Sequence, residues 1–115
     1  MASTTLYGIK NCDTVRKARK WLEAQDIEYR FHDFRGDGLD EKDLRTWIKA
    51  VGWEILLNRR GTTWRQLPEA DKEALDAQKA LQLMLAQPTL IKRPVLVYGK
   101  HTQVGFKPAE YEALF

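Results

Sequence analysis

The order in which strand-like and helix-like segments alternate constrains the fold of this chain more than any other sequence feature. Residues 5–9 are apolar and β-branched enough to predict a strand, and from Asp13 the apolar side chains recur with the spacing of a helix. Residues 28–34 alternate between polar and apolar side chains, as in a second strand. The N-terminal part is therefore predicted to form a strand–helix–strand unit.

A block of helical segments follows this unit. Asp40 is a good N-cap for a helix that Gly52 is well placed to end. The polar, basic and glycine-containing stretch at 58–64 predicts a loop. Helical composition then runs over 68–86, and we expect an interruption near residues 76–78.

The C-terminal part of the chain completes the fold prediction. Two strands are expected at 94–98 and 102–106, joined by a tight turn, and a short helix at 107–114. A β-α-β unit followed by β-β-α is the plan of the thioredoxin-like fold. We therefore predict a single α/β domain over residues 1–115, with a mixed four-stranded sheet and a helical insertion at about 40–87.

Composition limits the class of partner. The 115 residues are 43% hydrophobic and 30% charged, as in an ordinary soluble domain. The net charge of +3 is scattered along the chain, which argues against binding to nucleic acid. No apolar run approaches the roughly 20 residues of a membrane span, and the N-terminus leads straight into a strand, so neither a membrane segment nor a signal peptide is expected. We expect a monomer.

Cys12 is the only cysteine, so an internal disulfide is impossible and the cytoplasm is the expected location. A thiol in the first turn of a helix faces unpaired backbone N–H groups and the positive end of the helix dipole, which favour the thiolate. The residue alone is consistent with a reactive nucleophile or with a small buried hydrophobic residue. His32 and His101 lack ligand spacing with Cys12, so no metal site is expected.

Four segments together carry a family resemblance: residues 7–18, 56–64, 90–96 and 104–108. In this order and spacing the chain resembles the arsenate reductase-like family that includes the ArsC, Spx and YffB proteins, over essentially its full length. The Lys-Asn-Cys-Asp-Thr and Asn-Arg-Arg-Gly-Thr-Thr-Trp stretches are most similar to the YffB branch, whose members are described as glutathione-dependent thiol reductases.

The resemblance implies a set of site residues. Cys12 matches the nucleophile of the family, and Arg93 matches the catalytic arginine that helps to bind the oxyanion in arsenate reductases. Pro94 matches a cis-proline that lies beside the substrate. Arg60 matches the basic residue of the middle loop, with Arg59 as the neighbouring alternative.

Differences from the family pattern separate three functions. We favour a glutathione-dependent thiol reductase that acts on glutathione or a glutathionylated substrate through a mixed disulfide, with Asn11 and Lys107 among its binding residues. The first alternative is an arsenate reductase that uses glutathione or glutaredoxin, but Lys107 stands where those enzymes have an arginine. The second is an Spx-like protein that binds RNA polymerase, but Val15 replaces the second cysteine of the redox switch common in that branch.

Overall fold

The structure, a computed structural model, describes residues 3–115 and divides them into two compact units. The first unit combines the chain up to Gly38 with Arg93–Phe115, and the second is Leu39–Lys92. The strands are β1 (Thr4–Gly8), β2 (Arg30–Asp33), β3 (Val95–Tyr98) and β4 (His101–Val104). The helices are α1 (Asp13–Ala24), α2 (Glu41–Val51), α3 (Trp53–Leu56), α4 (Thr62–Gln66), α5 (Glu69–Lys72), α6 (Ala77–Ala86) and α7 (Pro108–Leu114), with a 3₁₀ turn at Pro88–Leu90.

All four strands belong to the first unit and form one mixed sheet. Their order is β2-β1-β3-β4, in which β1 pairs parallel with β2 and antiparallel with β3, and β3 pairs antiparallel with β4. The parallel pair is connected through α1, because a crossover is needed to bring the chain back in the same direction. The element order and the mixed sheet are those of the predicted thioredoxin-like fold.

The core of the first unit lies between α1 and the sheet. Helix α1 is amphipathic, and its buried residues pack with those of β1, β3 and α7 in one cluster, which comprises Leu6, Val15, Ala18, Leu22, Leu96 and Tyr111. The helix approaches β1 closely at Gly8, where a Cβ atom would lie 2.8 Å from a methyl carbon of Val15. A side chain at this position would push the helix away from the strand, so glycine sets the distance between them.

The second unit is helical, and its first helix begins and ends as predicted. The Asp40 side chain accepts a hydrogen bond of 2.8 Å from the backbone N–H of Lys42, which caps α2. Gly52 ends α2 with a positive φ of 92°, a conformation that favours glycine. Farther along, an antiparallel bridge between Leu57 and Ile91 joins the two ends of the helical segment.

Two predictions for the second unit were wrong in detail. The loop predicted at 58–64 is a loop only in its first half, because α4 begins at Thr62. The break in the long helical stretch lies at residues 73–76 and not near 76–78, because the Asp76 side chain accepts a hydrogen bond of 2.8 Å from the N–H of Lys79 and so starts α6.

Candidate active site

Cys12 lies between β1 and α1, at the N-cap position of the helix. Its backbone is extended, with φ −134° and ψ 123°, and its carbonyl accepts the first helical hydrogen bond from the N–H of Arg16 at 2.9 Å. The side chain makes no capping hydrogen bond and is half-buried. The half-buried thiol therefore stands at the positive end of the α1 dipole, as the sequence predicts.

The first turn of α1 carries an ion pair. The Arg16 guanidinium donates to the carboxylate of Asp13, and both side chains are largely exposed. This pair places a negative and a positive charge side by side on the helix surface near the thiol. The Asp13 charge is thus balanced locally, although its contribution to stability is small because an exposed pair is screened by solvent.

The cis peptide bond between Arg93 and Pro94 lies just before β3, as the resemblance implies. Pro94 is buried, and its carbonyl accepts a hydrogen bond of 2.8 Å from the N–H of Gly105, which follows β4. Val95, the first residue of β3, pairs with Tyr7 of β1. The Arg93–Pro94 bond therefore lies at the end of the sheet where β1 finishes and the Cys12 segment begins.

Lys107 also follows a strand that finishes at this end of the sheet. It is the N-cap residue of α7 and is exposed, and its carbonyl accepts the N–H groups of Glu110 at 3.0 Å and Tyr111 at 3.2 Å. The topology thus brings five predicted site residues to one end of the sheet: Asn11, Cys12, Arg93, Pro94 and Lys107.

Arg60, the remaining predicted site residue, belongs to the second unit. Its backbone N–H donates to the Asn58 side chain at 3.1 Å, and its carbonyl accepts from the Arg65 guanidinium at 3.1 Å. The neighbouring Arg59 holds its guanidinium over the Trp53 ring, 5.4 Å from the ring centroid. The backbone of this loop is therefore held locally, and the side chains of both arginines are exposed.

Sequence reasoning missed Asp33, the last residue of β2. It is only 9% exposed, and its carboxylate accepts the backbone N–H groups of Arg35 at 2.8 Å and Gly36 at 3.4 Å. The Arg35 hydrogen bond does most to lower the pKa of Asp33, and the N–H of Gly36 and the N–H and charge of Lys10 lower it further, against the opposing effect of burial. The available signal was its position at the carboxyl end of a strand parallel to β1.

The lowered pKa of Asp33 gives stability a pH dependence of defined sign. A carboxyl group that binds its proton more weakly in the folded chain stabilises the fold above its ordinary pKa of 3.8, and this contribution is lost as the pH falls below that value. We expect Asp33→Asn to unfold at lower urea concentration than the wild type near neutral pH, and the gap to narrow below pH 3.8. Urea unfolding followed by circular dichroism measures the difference in unfolding midpoint between the two chains. A difference that does not change with pH would contradict the lowered pKa of Asp33.

Residues 3–115 contain neither a cluster of metal-ligating side chains nor a membrane-spanning helix. Within residues 3–115, no set of three or more histidine, cysteine, aspartate or glutamate side chains is arranged to hold a metal ion. In the same residues, no helix has the length and apolar character required to cross a membrane.

One family model and three related proteins each match most of this chain. The model of the ArsC family matches residues 7–114. The solved structure of the YffB (PA3664) protein is 54% identical, with a TM-score of 0.94, and the match covers 96% of this chain and 97% of that one. An arsenate reductase (ArsC) related protein from Brucella melitensis is 57% identical, with a TM-score of 0.78, over 96% and 92% of the two chains. The global transcriptional regulator Spx of Listeria innocua is 30% identical over 108 residues, 92% of this chain and 82% of the regulator.

Proposed function

Because the chain belongs to the ArsC family, we propose that it is a thiol–disulfide oxidoreductase with Cys12 as nucleophile and glutathione as co-substrate. The observation that carries this proposal is the position of the only cysteine, half-buried at the N-cap of α1. The Arg93–Pro94 bond and Lys107 lie at the same end of the sheet and support it.

The reaction needs an external thiol, because the chain has a single cysteine. In the first step the Cys12 thiolate attacks the glutathione sulfur of a glutathionylated substrate. A disulfide forms between Cys12 and glutathione, and the substrate leaves as a thiolate that takes up a proton. In the second step a glutathione thiolate attacks the glutathione sulfur of this mixed disulfide, which releases oxidised glutathione and restores the Cys12 thiolate. Each glutathionylated substrate that is reduced thereby consumes one free glutathione thiol and releases one oxidised glutathione, whose other half comes from the substrate.

The charges at this end of the sheet suit glutathione, which carries two carboxylates. Arg93 can donate two parallel hydrogen bonds to one carboxylate, and Lys107 offers a compact positive charge for the other. The backbone beside Pro94 is the proposed binding segment for the extended tripeptide, since extended peptides bind through main-chain hydrogen bonds. Asn11, exposed beside Cys12, is the proposed donor to the sulfur or to the substrate.

In the second unit, Arg60 is the better candidate of the two adjacent arginines for a substrate-binding residue. The Arg59 guanidinium is already placed over the Trp53 ring, so moving it to a ligand would give up that cation–π contact. The hydrogen bonds with Asn58 and Arg65 hold the backbone of Arg60. The exposed side chain of Arg60 can therefore change rotamer toward a ligand without breaking them.

Intact-mass analysis of the wild-type chain tests the proposal. We expect incubation with oxidised glutathione to add one glutathionyl group at Cys12, and reduced glutathione to remove it. We also expect catalytic reduction of a glutathionylated peptide by reduced glutathione. A chain that remains unmodified at Cys12 and does not accelerate this reduction would contradict the proposed function.

Substitution of Arg93 tests the carboxylate contact. We expect Arg93→Gln to raise the KM for glutathione and to lower kcat/KM about 10- to 100-fold, because a hydrogen bond to a charged group contributes about 1.5–3 kcal/mol. Steady-state kinetics with varied glutathione measure the change. The matched control is Lys92→Gln, which removes one exposed positive charge at the preceding residue. Equal losses in the two variants would assign the effect to net charge and not to a contact of Arg93.

The family relationships favour two further candidates. An arsenate reductase would use the same thiol with glutathione or glutaredoxin as reductant. This function predicts that glutathione is oxidised only when arsenate is added.

The 30% identity to the Listeria regulator favours a protein that binds RNA polymerase. That function predicts association with purified polymerase in a Cys12→Ser variant as well as in the wild type, since it does not require the thiol.

A further inference from the structure

We propose that the outer edge of β4 is a docking site for an extended, uncharged segment of a polypeptide substrate, whose glutathionylated cysteine it directs to Cys12. The sheet ends in β2 on one side and in β4 on the other, and each of these strands has four residues. An edge strand presents backbone groups with which a further strand can pair. This substrate class rests on the proposed function, since it concerns the reaction of Cys12.

The register of the β3–β4 hairpin determines which backbone groups of β4 point outward. The N–H of Gly105 donates at 2.8 Å to the carbonyl of Pro94, which lies opposite it in this register. Hydrogen-bonded and non-hydrogen-bonded pairs alternate along an antiparallel ladder, so the next pair, Val95 with Val104, is not hydrogen-bonded, and neither is the pair that contains Thr102. The N–H and C=O groups of Thr102 and Val104 therefore point away from β3. In the described part of the chain, no other strand pairs with this side of β4.

The opposite edge of the sheet is closed by its own loop. The N–H of Phe34 donates to the carbonyl of Gly8 in β1, so the backbone groups of the preceding residue, Asp33, point away from β1. The Asp33 N–H donates to the Asp37 carboxylate at 3.0 Å, and the Asp33 carbonyl accepts the N–H of Asp37 at 2.8 Å. Because a covered edge resists pairing with another chain, a further strand pairs more readily with β4 than with β2.

The side chains of β4 fit an uncharged partner. The strand reads His-Thr-Gln-Val and contains no Asp, Glu, Lys or Arg, whereas β2 contains Arg30 and Asp33. Charged side chains on an edge strand discourage pairing, and β4 lacks them. Thr102 and Val104 are half-buried and β-branched, and such residues pair well with β-branched or aromatic side chains. The fitting segment is therefore uncharged, extended and rich in threonine, valine or aromatic residues.

A segment docked on β4 leads to the thiol. Val104, the last residue of β4, lies at the end of the sheet that carries the Arg93–Pro94 bond, and the Cys12 segment leaves β1 at this same end. Adjacent strands are about 4.8 Å apart, so a strand added outside β4 lies three spacings, or about 14 Å, from β1. An extended chain covers about 3.3 Å per residue, so roughly four or five residues bridge this distance. Since antiparallel pairing is the more stable per residue, the substrate cysteine precedes the docked segment by that number of residues.

The length of the edge favours a transient peptide contact over a second copy of the chain. A stable interface uses about 20–30 residues from each partner, whereas two β4 strands would pair only four residues each. A weak, short-lived contact suits a substrate that must leave as a free thiol after each turnover.

Substitution of Thr102 tests the docking edge. Proline removes the outward N–H and leaves the ladder to β3 intact, because the Thr102 N–H takes no part in that ladder. The test substrate is a glutathionylated peptide with a threonine- and valine-rich segment four or five residues after its cysteine. We expect Thr102→Pro to lower kcat/KM for this peptide about 3- to 10-fold, and to leave kcat/KM for the mixed disulfide of glutathione and cysteine unchanged. Equal losses with both substrates, or no loss with the peptide, would overturn the proposal.

Thr102→Val is the matched control for this variant. Valine keeps the backbone N–H and the β-branched shape, so we expect the kcat/KM of Thr102→Val for the peptide to equal that of the wild type. A loss as large as that of Thr102→Pro would assign the effect to the threonine hydroxyl and overturn the proposal.

A change in the peptide tests the same contact on the wild-type chain. N-methylation of two consecutive backbone nitrogens in the segment removes hydrogen-bond donors and keeps every side chain. We expect kcat/KM to fall about 3- to 10-fold relative to the unmodified peptide. Equal values for the two peptides would overturn the proposal, whether or not Thr102→Pro folds.

Nuclear magnetic resonance of the Cys12→Ser chain separates the docking edge from the proposed function, because it needs no thiol. We expect the same peptide, with serine in place of its cysteine, to shift the backbone amide signals of Thr102 and Val104 and not that of Asp33. Unshifted signals at millimolar peptide would overturn the proposal even where Cys12 reacts with glutathione. Shifts that grow with protein concentration in the absence of peptide would identify a second copy as the occupant and would also overturn it. Peptide-dependent shifts without reduction of either disulfide would support the docking edge and refute the proposed function.

Discussion

We expect the replacement of Cys12 with serine to reduce the proposed glutathione-dependent disulfide reduction to the background rate, while the chain remains folded. The hydroxyl of serine is a far weaker nucleophile than a thiolate and cannot form a mixed disulfide, so a loss of roughly 10³-fold or more is expected. The fold is preserved because the Cys12 side chain makes no capping hydrogen bond that serine would lose. Serine is also a preferred N-cap residue, so we expect the stability of this variant to equal or exceed that of the wild type.

Cys12→Ala separates the two effects of this substitution. Alanine removes the nucleophile but cannot cap α1, so we expect it to lose activity as serine does and to be the less stable of the two, by about 1 kcal/mol. The measurements are initial rates with a glutathionylated peptide and the midpoint of thermal unfolding. Retention of more than a small fraction of activity in either variant would exclude Cys12 as the nucleophile.

Replacing Tyr111 with alanine produces the largest expected loss of stability. This side chain of α7 is fully buried, and its ring packs edge-on against Trp21 at 5.6 Å and against Phe106 at 4.8 Å between centroids. Removing a large buried aromatic ring leaves a cavity that costs about 3–5 kcal/mol. This loss is a large share of the free energy of unfolding of a typical domain, which is roughly 5–15 kcal/mol. Chemical denaturation followed by circular dichroism measures the change.

Tyr111→Phe is the matched control for this prediction. The hydroxyl of Tyr111 makes only a long hydrogen bond, 3.5 Å, to the carbonyl of Gly105. Burial, and to a lesser degree the nearby Glu110 charge, raises the pKa of Tyr111 above its ordinary value of 10.0, so the group is neutral when folded. We therefore expect phenylalanine to cost about 1 kcal/mol or less. Equal losses in the two variants would show that the hydroxyl, and not the ring, provides the stability.

Local sequence signals predicted the features that local interactions determine. The change from strand to helix before Cys12, the Asp40 cap and the reversal at Gly52 each depend on a few neighbouring residues. The break between α5 and α6 was predicted three residues too late, because Asp76 can act either as an interruption or as a cap, and composition alone does not decide between them. Helix α4 was missed because glycine and two threonines at 61–63 outweigh the weak helical preference of the residues that follow.

Asp33 could not be found in this way, since its burial depends on which residues lie across the sheet. Its carboxylate is buried beside Gly8 only because β1 and β2 run parallel in one particular register. The family resemblance supplied Arg93 and Pro94, which carry no local pattern of their own. It supplied no equivalent signal for Asp33, whose hydrogen bonds from Arg35 and Gly36 form within its own loop but whose burial requires the assembled strands.

The pairing of Thr4 with Tyr98 has a consequence for synthesis on the ribosome. Strand β1 is an inner strand of the sheet, yet its partner β3 is synthesised only after the whole helical segment. One side of β1 in the N-terminal βαβ unit therefore stays unpaired until β3 has been synthesised and has left the exit tunnel. During that interval the nascent chain is most exposed to aggregation and to oxidation of its thiol, because long-range strand pairing forms late.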